Sequence, residues 1–245
     1  EPHRRHARGR ALRLAAMSPL ALLLVLLVAA ALHDFVNGFH DGANIVSTVI
    51  ASRAMSARGS LLLAAGATLV GPFVLGVAVA ETMGEGLVAP HSVTLAVALA
   101  ALTAATAWDV VTWYFGIPVS TSHALVGGLL GAVIAAGGFE AVRLSGVAKV
   151  GIALFLSPLA GFVAALAVMH ATRWALRSST PRANIALSRA QVATAGALAL
   201  TNGANDAQKT VGITALGLLT LGFTTTFTVP WWAIALSACS LSLGT

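Results

Sequence analysis

The chain has 245 residues, of which 58% are hydrophobic and 9% charged, and its mean hydropathy is +0.89. A water-soluble domain carries roughly 25% charged residues, so this composition excludes an ordinary soluble surface; at about 20 residues per span, the length holds roughly seven to nine membrane spans. The net charge of +6 sits in short Arg clusters between apolar runs, as positive-inside loops do, and not as a nucleic-acid-binding surface does.

From the N-terminus, Arg4, Arg5, Arg8, Arg10 and Arg13 precede an apolar run at 20–32. With Ala29, Ala30 and Ala31 near its end, this also has the outline of a secretory signal peptide. Apolar chemistry continues through the whole chain, so the run reads as a first span and residues 1–16, just upstream of Met17, as a basic extension. Further apolar stretches lie at 60–80, 92–107, 125–136, 147–169, 192–200, 211–223 and 231–245. Several are too short to span alone and adjoin polar patches, the signature of broken or re-entrant helices in transporters. Trp108, Trp113, Trp174, Trp231 and Trp232 lie near segment ends, as in an interfacial belt. The single cysteine, Cys239, excludes an intrachain disulfide or a cysteine zinc cluster and reads as a small apolar filler.

Beyond the N-tail, positive charge gathers at Arg53 with Arg58, and at Arg173, Arg177, Arg182 and Arg189. The loop at 81–91 carries Glu81 and Glu85 and no Lys or Arg. Counting every segment as a simple span puts the basic clusters on the cytoplasmic side and the acidic loop outside. The expected division is a basic extension at 1–16, a first transmembrane repeat at 17–172, a basic cytoplasmic loop at 173–190, and the start of a second, incomplete repeat at 191–245.

Three polar patches interrupt the apolar runs. In the first, at 34–48, Asp34, Asn37, Asp41, Asn44 and Thr48 fall within an arc of roughly 80° if the segment is helical. A charge at membrane depth costs from about 2.5 to over 10 kcal/mol, so it normally faces a polar cavity or a partner. Carboxylate and amide oxygens are hard ligands suited to a small cation. The plainer alternative is an aqueous loop turning at Gly38 and Gly42. The second patch, at 116–128, sets Ser120, Thr121, Ser122 and His123 just after Pro118. Pro118 fits a helix start, where unpaired first-turn N–H groups favour phosphate-like anions; an ordinary Ser/Thr cap with His123 at the water interface is the alternative. Nearby, Asp109 reads as interfacial and Tyr114 as an anchor.

The third patch repeats the first. At a constant offset Asn37 and Gly38 match Asn202 and Gly203, Asp41 matches Asp206, and Asn44 matches Lys209. Two copies of Asn-Gly-x-x-Asp, each entering an apolar run, point to an internal duplication of the kind that frames a secondary-transporter site. In the second copy Asn202, Asn205, Asp206 and Lys209 share an arc of roughly 100°, and Lys209 can meet an anion or neutralise Asp206.

These stretches together resemble the inorganic phosphate transporter (PiT) family of secondary carriers. Asn37, Gly38, Asp41 and Asn44 resemble its Asn-Gly-x-x-Asp-x-x-Asn signature. Gly203, Asn205, Asp206, Gln208 and Lys209 resemble its Gly-x-Asn-Asp-x-Gln-Lys motif, and Pro118 to His123 is similar to its Pro-x-Ser-Thr/Ser-Thr/Ser-His motif. The resemblance implies a polytopic all-α membrane protein with internal, inverted repeats, carrying inorganic phosphate with H⁺ or Na⁺ across the cell membrane and needing no cofactor. By that carry-over Asn37, Asp41, Asn44, Asn202, Asn205 and Asp206 hold the coupling cation, with Na⁺ at Asp41, Asn44 and Asp206, while Ser120, Thr121, Ser122, Gln208 and Lys209 hold phosphate. Sulfate or another tetrahedral oxyanion is the alternative cargo, since the same hydroxyls and helix ends fit it. Membrane lipid is the other expected partner, and a homo-oligomer is compatible with the reading.

Two departures stand out. Asn202 occupies a position where the family often has His, and a second Pro-x-Ser-Thr motif would fall beyond Thr245, so a truncated second repeat is expected. The simple span count also gives both signatures the same orientation, whereas the resemblance implies opposite ones; a re-entrant segment at 35–51 or 118–138 would reconcile them. The scattered histidines form no His-x-x-x-His pair, and neither a Gly-x-Ser-x-Gly elbow nor a phosphate-binding loop of the NTPase type occurs. An enzyme is therefore not expected.

Overall fold

The computed structural model describes residues 18–76, 78–89, 92–181 and 183–245. The expected extension at 1–16 lies outside the described residues, as do His91 and Arg182. The helices are α1 (Pro19–Ala51), α2 (Ala57–Val74), a short α3 (Ala78–Glu81), α4 (Leu95–Tyr114), α5 (Thr121–Gly137), α6 (Leu144–Ala175), α7 (Ala183–Thr220) and α8 (Trp231–Gly244). Among the described residues the one extended pairing is an isolated bridge between Val88 and Val142. Helix starts follow side-chain capping: the Ala21, Gly59, Val97 and His123 N–H groups donate to the hydroxyls of Ser18, Ser56, Thr94 and Ser120.

Four helices, α1, α2, α4 and α6, are long and apolar enough to cross a membrane. α7 is longer than any of them, at 38 residues, but its polar middle keeps it out of that set. The apolar run at 20–32 and the patch at 34–48 form one unbroken helix, α1, and the patch at 201–210 lies inside α7. The loop reading of Gly38 and Gly42 is thereby excluded. The segment expected to be a basic loop at 173–190 is mostly helical as well: α6 continues to Ala175 and α7 begins at Ala183. All 32 residues of α6 lie outside the protein core.

The two signature helices run antiparallel. Near the end of α1, Ser52 donates a 2.7 Å hydrogen bond to Gln191 near the start of α7, while Leu26 near the start of α1 packs on Gly217 near the end of α7. The same-direction expectation of the simple span count therefore fails, and the α4–α5 hairpin is the reason. α4 begins where Thr220, at the end of α7, donates to the Val93 carbonyl at 2.8 Å. It ends beside the middle of α1, where Trp113 meets Phe39 with ring centroids 5.2 Å apart. α5 starts beside the middle of α7, with Lys209 donating to Ser122, and returns until Val142 pairs with Val88. The pair runs from the end of α7 to the middle of α1 and α7 and turns back.

Close crossings of small residues lock the helices together, as packing in lipid requires. A Cβ on Gly38 of α1 would collide with the Leu241 carbonyl of α8, and one on Gly244 of α8 would collide with the Phe35 carbonyl of α1. Likewise a Cβ on Gly203 of α7 would strike the Thr68 carbonyl of α2, and one on Gly71 of α2 would strike that of Leu200. The two crossings are copies. Gly203 stands as far beyond Gly38 as Leu200 beyond Phe35, and Leu241 stands as far beyond Thr68 as Gly244 beyond Gly71. The offset on α1 and α7 is the same one that aligns the two Asn-Gly-x-x-Asp motifs.

Candidate functional site

The crossings aim both signatures at a shared polar core. In α7, Lys209 Nζ lies 2.5 Å from Asp206 Oδ1 and donates to Ser122 Oγ of α5. Asn202, one turn earlier, donates from Nδ2 to the other Asp206 oxygen at 2.8 Å. Asp206 and Lys209 are both buried, so each keeps the other tolerable; removing one partner of such a pair typically costs about 3–5 kcal/mol. From α1, Asp41 is close enough to feel the charges of Asp206 and Lys209, and its carboxylate lies 3.3 Å from His40 Nδ1. Asn37 is buried with its carbonyl oxygen unpaired.

The start of α5 differs from the sequence reading in register. Pro118 lies before the helix, Ser120 is the cap, and Thr121 is the first helical residue. Ser120 Oγ is thus occupied with the His123 N–H at 3.4 Å, and Thr121 is buried. Ser122 is the hydroxyl in direct contact with Lys209. Gln208 turns elsewhere. Its Oε1 accepts the Val79 N–H at 3.0 Å, across the gap between α2 and α3 where Gly76 takes a φ of +80° that favours glycine. Asn44 and Asn205 are exposed.

Three buried groups were not among the expected site residues. Asp109, read as interfacial, is fully buried with both carboxylate oxygens unpaired, and it feels His40, Asp41 and Asp206. A carboxylate two residues past the apolar stretch at 92–107, inside what is α4, was itself the signal for it. His33 sits 3.2 Å from Thr106 Oγ1; that hydroxyl gives its own hydrogen to the Leu102 carbonyl, so His33 Nδ1 is the donor. Asp34 is buried with neither oxygen paired. Cys239, expected as filler, is exposed on α8. Among the described residues no group of three His, Cys, Asp or Glu side chains could hold a metal ion. A cation here is left to mixed carboxylate, amide and hydroxyl oxygens, the ligand set of a hard ion.

Known proteins share this pattern. The phosphate transporter family matches residues 37–245. A probable low-affinity inorganic phosphate transporter of Rhizobium meliloti is 41% identical over 226 residues, covering 91% of this chain and 68% of that protein. One of the same description from Bacillus subtilis is 38% identical over 234 residues, covering 94% of this chain and 70% of its own length. A solved structure described as the sodium-dependent phosphate transporter superposes with a TM-score of 0.79 at 19% identity, covering 91% of this chain and 74% of that one, which shows a shared fold. These relatives are transporters and not enzymes. With the family pattern matched over most of its length and with relatives that it largely covers, this multi-pass helical membrane protein belongs to the phosphate transporter family.

Proposed function

We propose that the protein is a secondary carrier that moves inorganic phosphate across the cell membrane together with H⁺ or Na⁺, by alternating access. The observation that carries this reading is Lys209 held between Asp206 and Ser122, which joins the second signature to the start of α5. Phosphate is assigned to Ser120, Thr121, Ser122 and Lys209, with Gln208 reaching it only by leaving the Val79 N–H. The coupling cation is assigned to Asn37, Asp41, Asn202 and Asp206, with Asn44 and Asn205 joining in a state that turns their faces inward.

The geometry suggests how coupling arises. A phosphate at the α5 N-terminus finds first-turn N–H groups and the positive end of the helix dipole, and it competes with Asp206 for Lys209. Once Lys209 turns to the anion, Asp206 beside Asp41 is an uncompensated buried charge, and a cation bound between them restores balance. Each ligand thereby raises the affinity for the other, as linkage requires.

Labelled phosphate uptake in cells that lack their own phosphate carriers tests the reading, with excess cold sulfate as competitor. Asp41→Asn and Asp206→Asn are each expected to abolish coupled uptake while the protein remains in the membrane. Wild-type uptake in both variants sinks the proposal. Uptake that sulfate abolishes replaces phosphate by a broader oxyanion cargo.

A further inference from the structure

Asp34 lies one helical turn before Asn37, and its buried oxygens have the Thr210 and Ser237 hydroxyls as polar neighbours but no hydrogen bond of regular geometry. It lines a cavity of about 10 Å³ together with Thr210 and Thr214 of α7 and Ser237 of α8. That is room for one water-sized body and far too little for phosphate. The Thr210 hydroxyl is also buried, with the Asp34 carboxyl as its polar neighbour. Ser237 Oγ gives its hydrogen to the Ala207 carbonyl at 3.2 Å, so it offers the cavity lone pairs. Lys209 acts on Asp34 through space, but its charge is already matched by Asp206. The result is a small cavity where a carboxyl group and three hydroxyls share the lining with Ala30, Ala31, Ala233 and Leu236, and where an ionised Asp34 has no basic side chain left to match it.

The duplication supplies a control. At the same offsets that relate the glycine crossings, Asp34 corresponds to Ala199, Thr210 to Ile45, Thr214 to Val49 and Ser237 to Ala64. Three of those positions, Ile45, Val49 and Ala64, line a cavity of about 10 Å³ together with Ser60 and Ala195 among others, and Ala199 belongs to the same apolar cluster as Ile45 and Ala64. The backbone thus makes the same gap twice, and the second lining is apolar but for Ser60, which stands where the first has Ala233 and gives its hydrogen to the Ser56 carbonyl. Packing does not require a carboxylate and three hydroxyls at the other.

We propose that the cavity formed by Asp34, Thr210, Thr214 and Ser237 binds one sodium-sized monovalent cation. A single carboxylate matches a single positive charge, whereas a divalent ion would leave an excess charge buried. Because the ligands come from α1, α7 and α8, the ion ties three helices across the two halves. The inference rests on the carrier reading only for what the ion does in transport, not for its binding.

The test is equilibrium binding of ²²Na⁺ to the purified full-length protein, with choline replacing sodium in controls. Asp34→Ala is expected to bind one sodium fewer per chain than wild type. Ser237→Ala, which keeps the carboxylate, is expected to weaken that site by about tenfold, the lower end of what losing a supporting group costs a metal site. Both substitutions copy the residues of the opposite cavity, so the fold is expected to accept them. An unchanged sodium count in Asp34→Ala overturns the inference, as does a wild type that binds no sodium. Phosphate uptake by wild type alongside an unchanged count leaves the carrier reading standing. A lowered count without any uptake by wild type overturns the carrier reading and leaves the sodium site.

Discussion

The cavity beside Asp34 and the one beside Ile45 differ in chemistry but not in construction. Each sits between a signature helix, the opposing signature helix and the helix that crosses it: α1, α7 and α8 on one side, α7, α1 and α2 on the other. Backbone geometry is set by the glycine crossings, which are the same in both halves. What differs is the lining. In one half Ile45, Val46, Ala64 and Ala199 form a dry cluster; in the other an unpaired carboxylate faces hydroxyls. The lesson is that small residues at helix crossings build the scaffold, while the side chains at the gaps beside them are free to become a site.

The largest effect comes from breaking this difference in the apolar half. Ala199→Asp puts a carboxylate against Ile45 and Ala64, where the hydroxyl in the adjoining gap, Ser60, already gives its hydrogen to the Ser56 carbonyl. An uncompensated buried charge of this kind costs about 3–5 kcal/mol, at roughly 2–4 °C of melting temperature per kcal/mol for a chain of this size. Thermal unfolding in detergent measures it, and an unchanged melting temperature would show that the lining chemistry is not what distinguishes the cavities. The reverse change is smaller and of opposite sign. Asp34→Ala removes an unpaired buried group and is expected to stabilise the sodium-free protein by about 1–3 kcal/mol. Sodium, which stabilises the wild type by mass action, is then expected to leave the variant's melting temperature unmoved. The two melting curves therefore converge as sodium is added, and parallel curves would contradict the assignment.

Much of the polar core was legible along the chain, because carboxylates, amides and hydroxyls inside apolar runs have few reasons to be there. The duplication of Asn37, Gly38 and Asp41 as Asn202, Gly203 and Asp206 was legible for the same reason. Gly38 and Gly203 were ambiguous. They read equally as turn formers or as points of close approach, and only the carbonyls of Leu241 and Thr68 pressed against them decide for the second. Asp109 was misread because Trp108 and Trp113 beside it look like an interfacial belt. The α4–α5 hairpin instead turns beside the middle of α1, where Trp113 meets Phe39 and Asp109 joins the polar core. Asp34 lay on the expected polar arc, but the hydroxyls around it stand more than half the chain away. Only the antiparallel pairing of α1 with α7, and the return of α8, brings Thr210 and Ser237 to it.

The finest distinction between the cavities is one oxygen atom. Thr214 of α7 corresponds to Val49 of α1, and threonine and valine share a shape, so Thr214→Val changes the lining without changing the packing. Thr214 is buried, and its counterpart shows that a methyl group fits at that point of the crossing. Stability in the absence of sodium is therefore expected to move by less than about 0.5 kcal/mol. If the hydroxyl is one of the oxygens around the ion, its net worth is about 0.5–1.5 kcal/mol, and sodium affinity is expected to fall on the order of threefold. The mirror substitution, Val49→Thr, adds the same oxygen to a cavity with no carboxylate and is expected to add no sodium. Equal sodium affinities for Thr214→Val and wild type would remove Thr214 from the ligand set and leave the ion to Asp34, Thr210 and Ser237. A gain of sodium in Val49→Thr would mean that hydroxyls alone make such a gap a site, and that the carboxylate of Asp34 is not what separates the two halves.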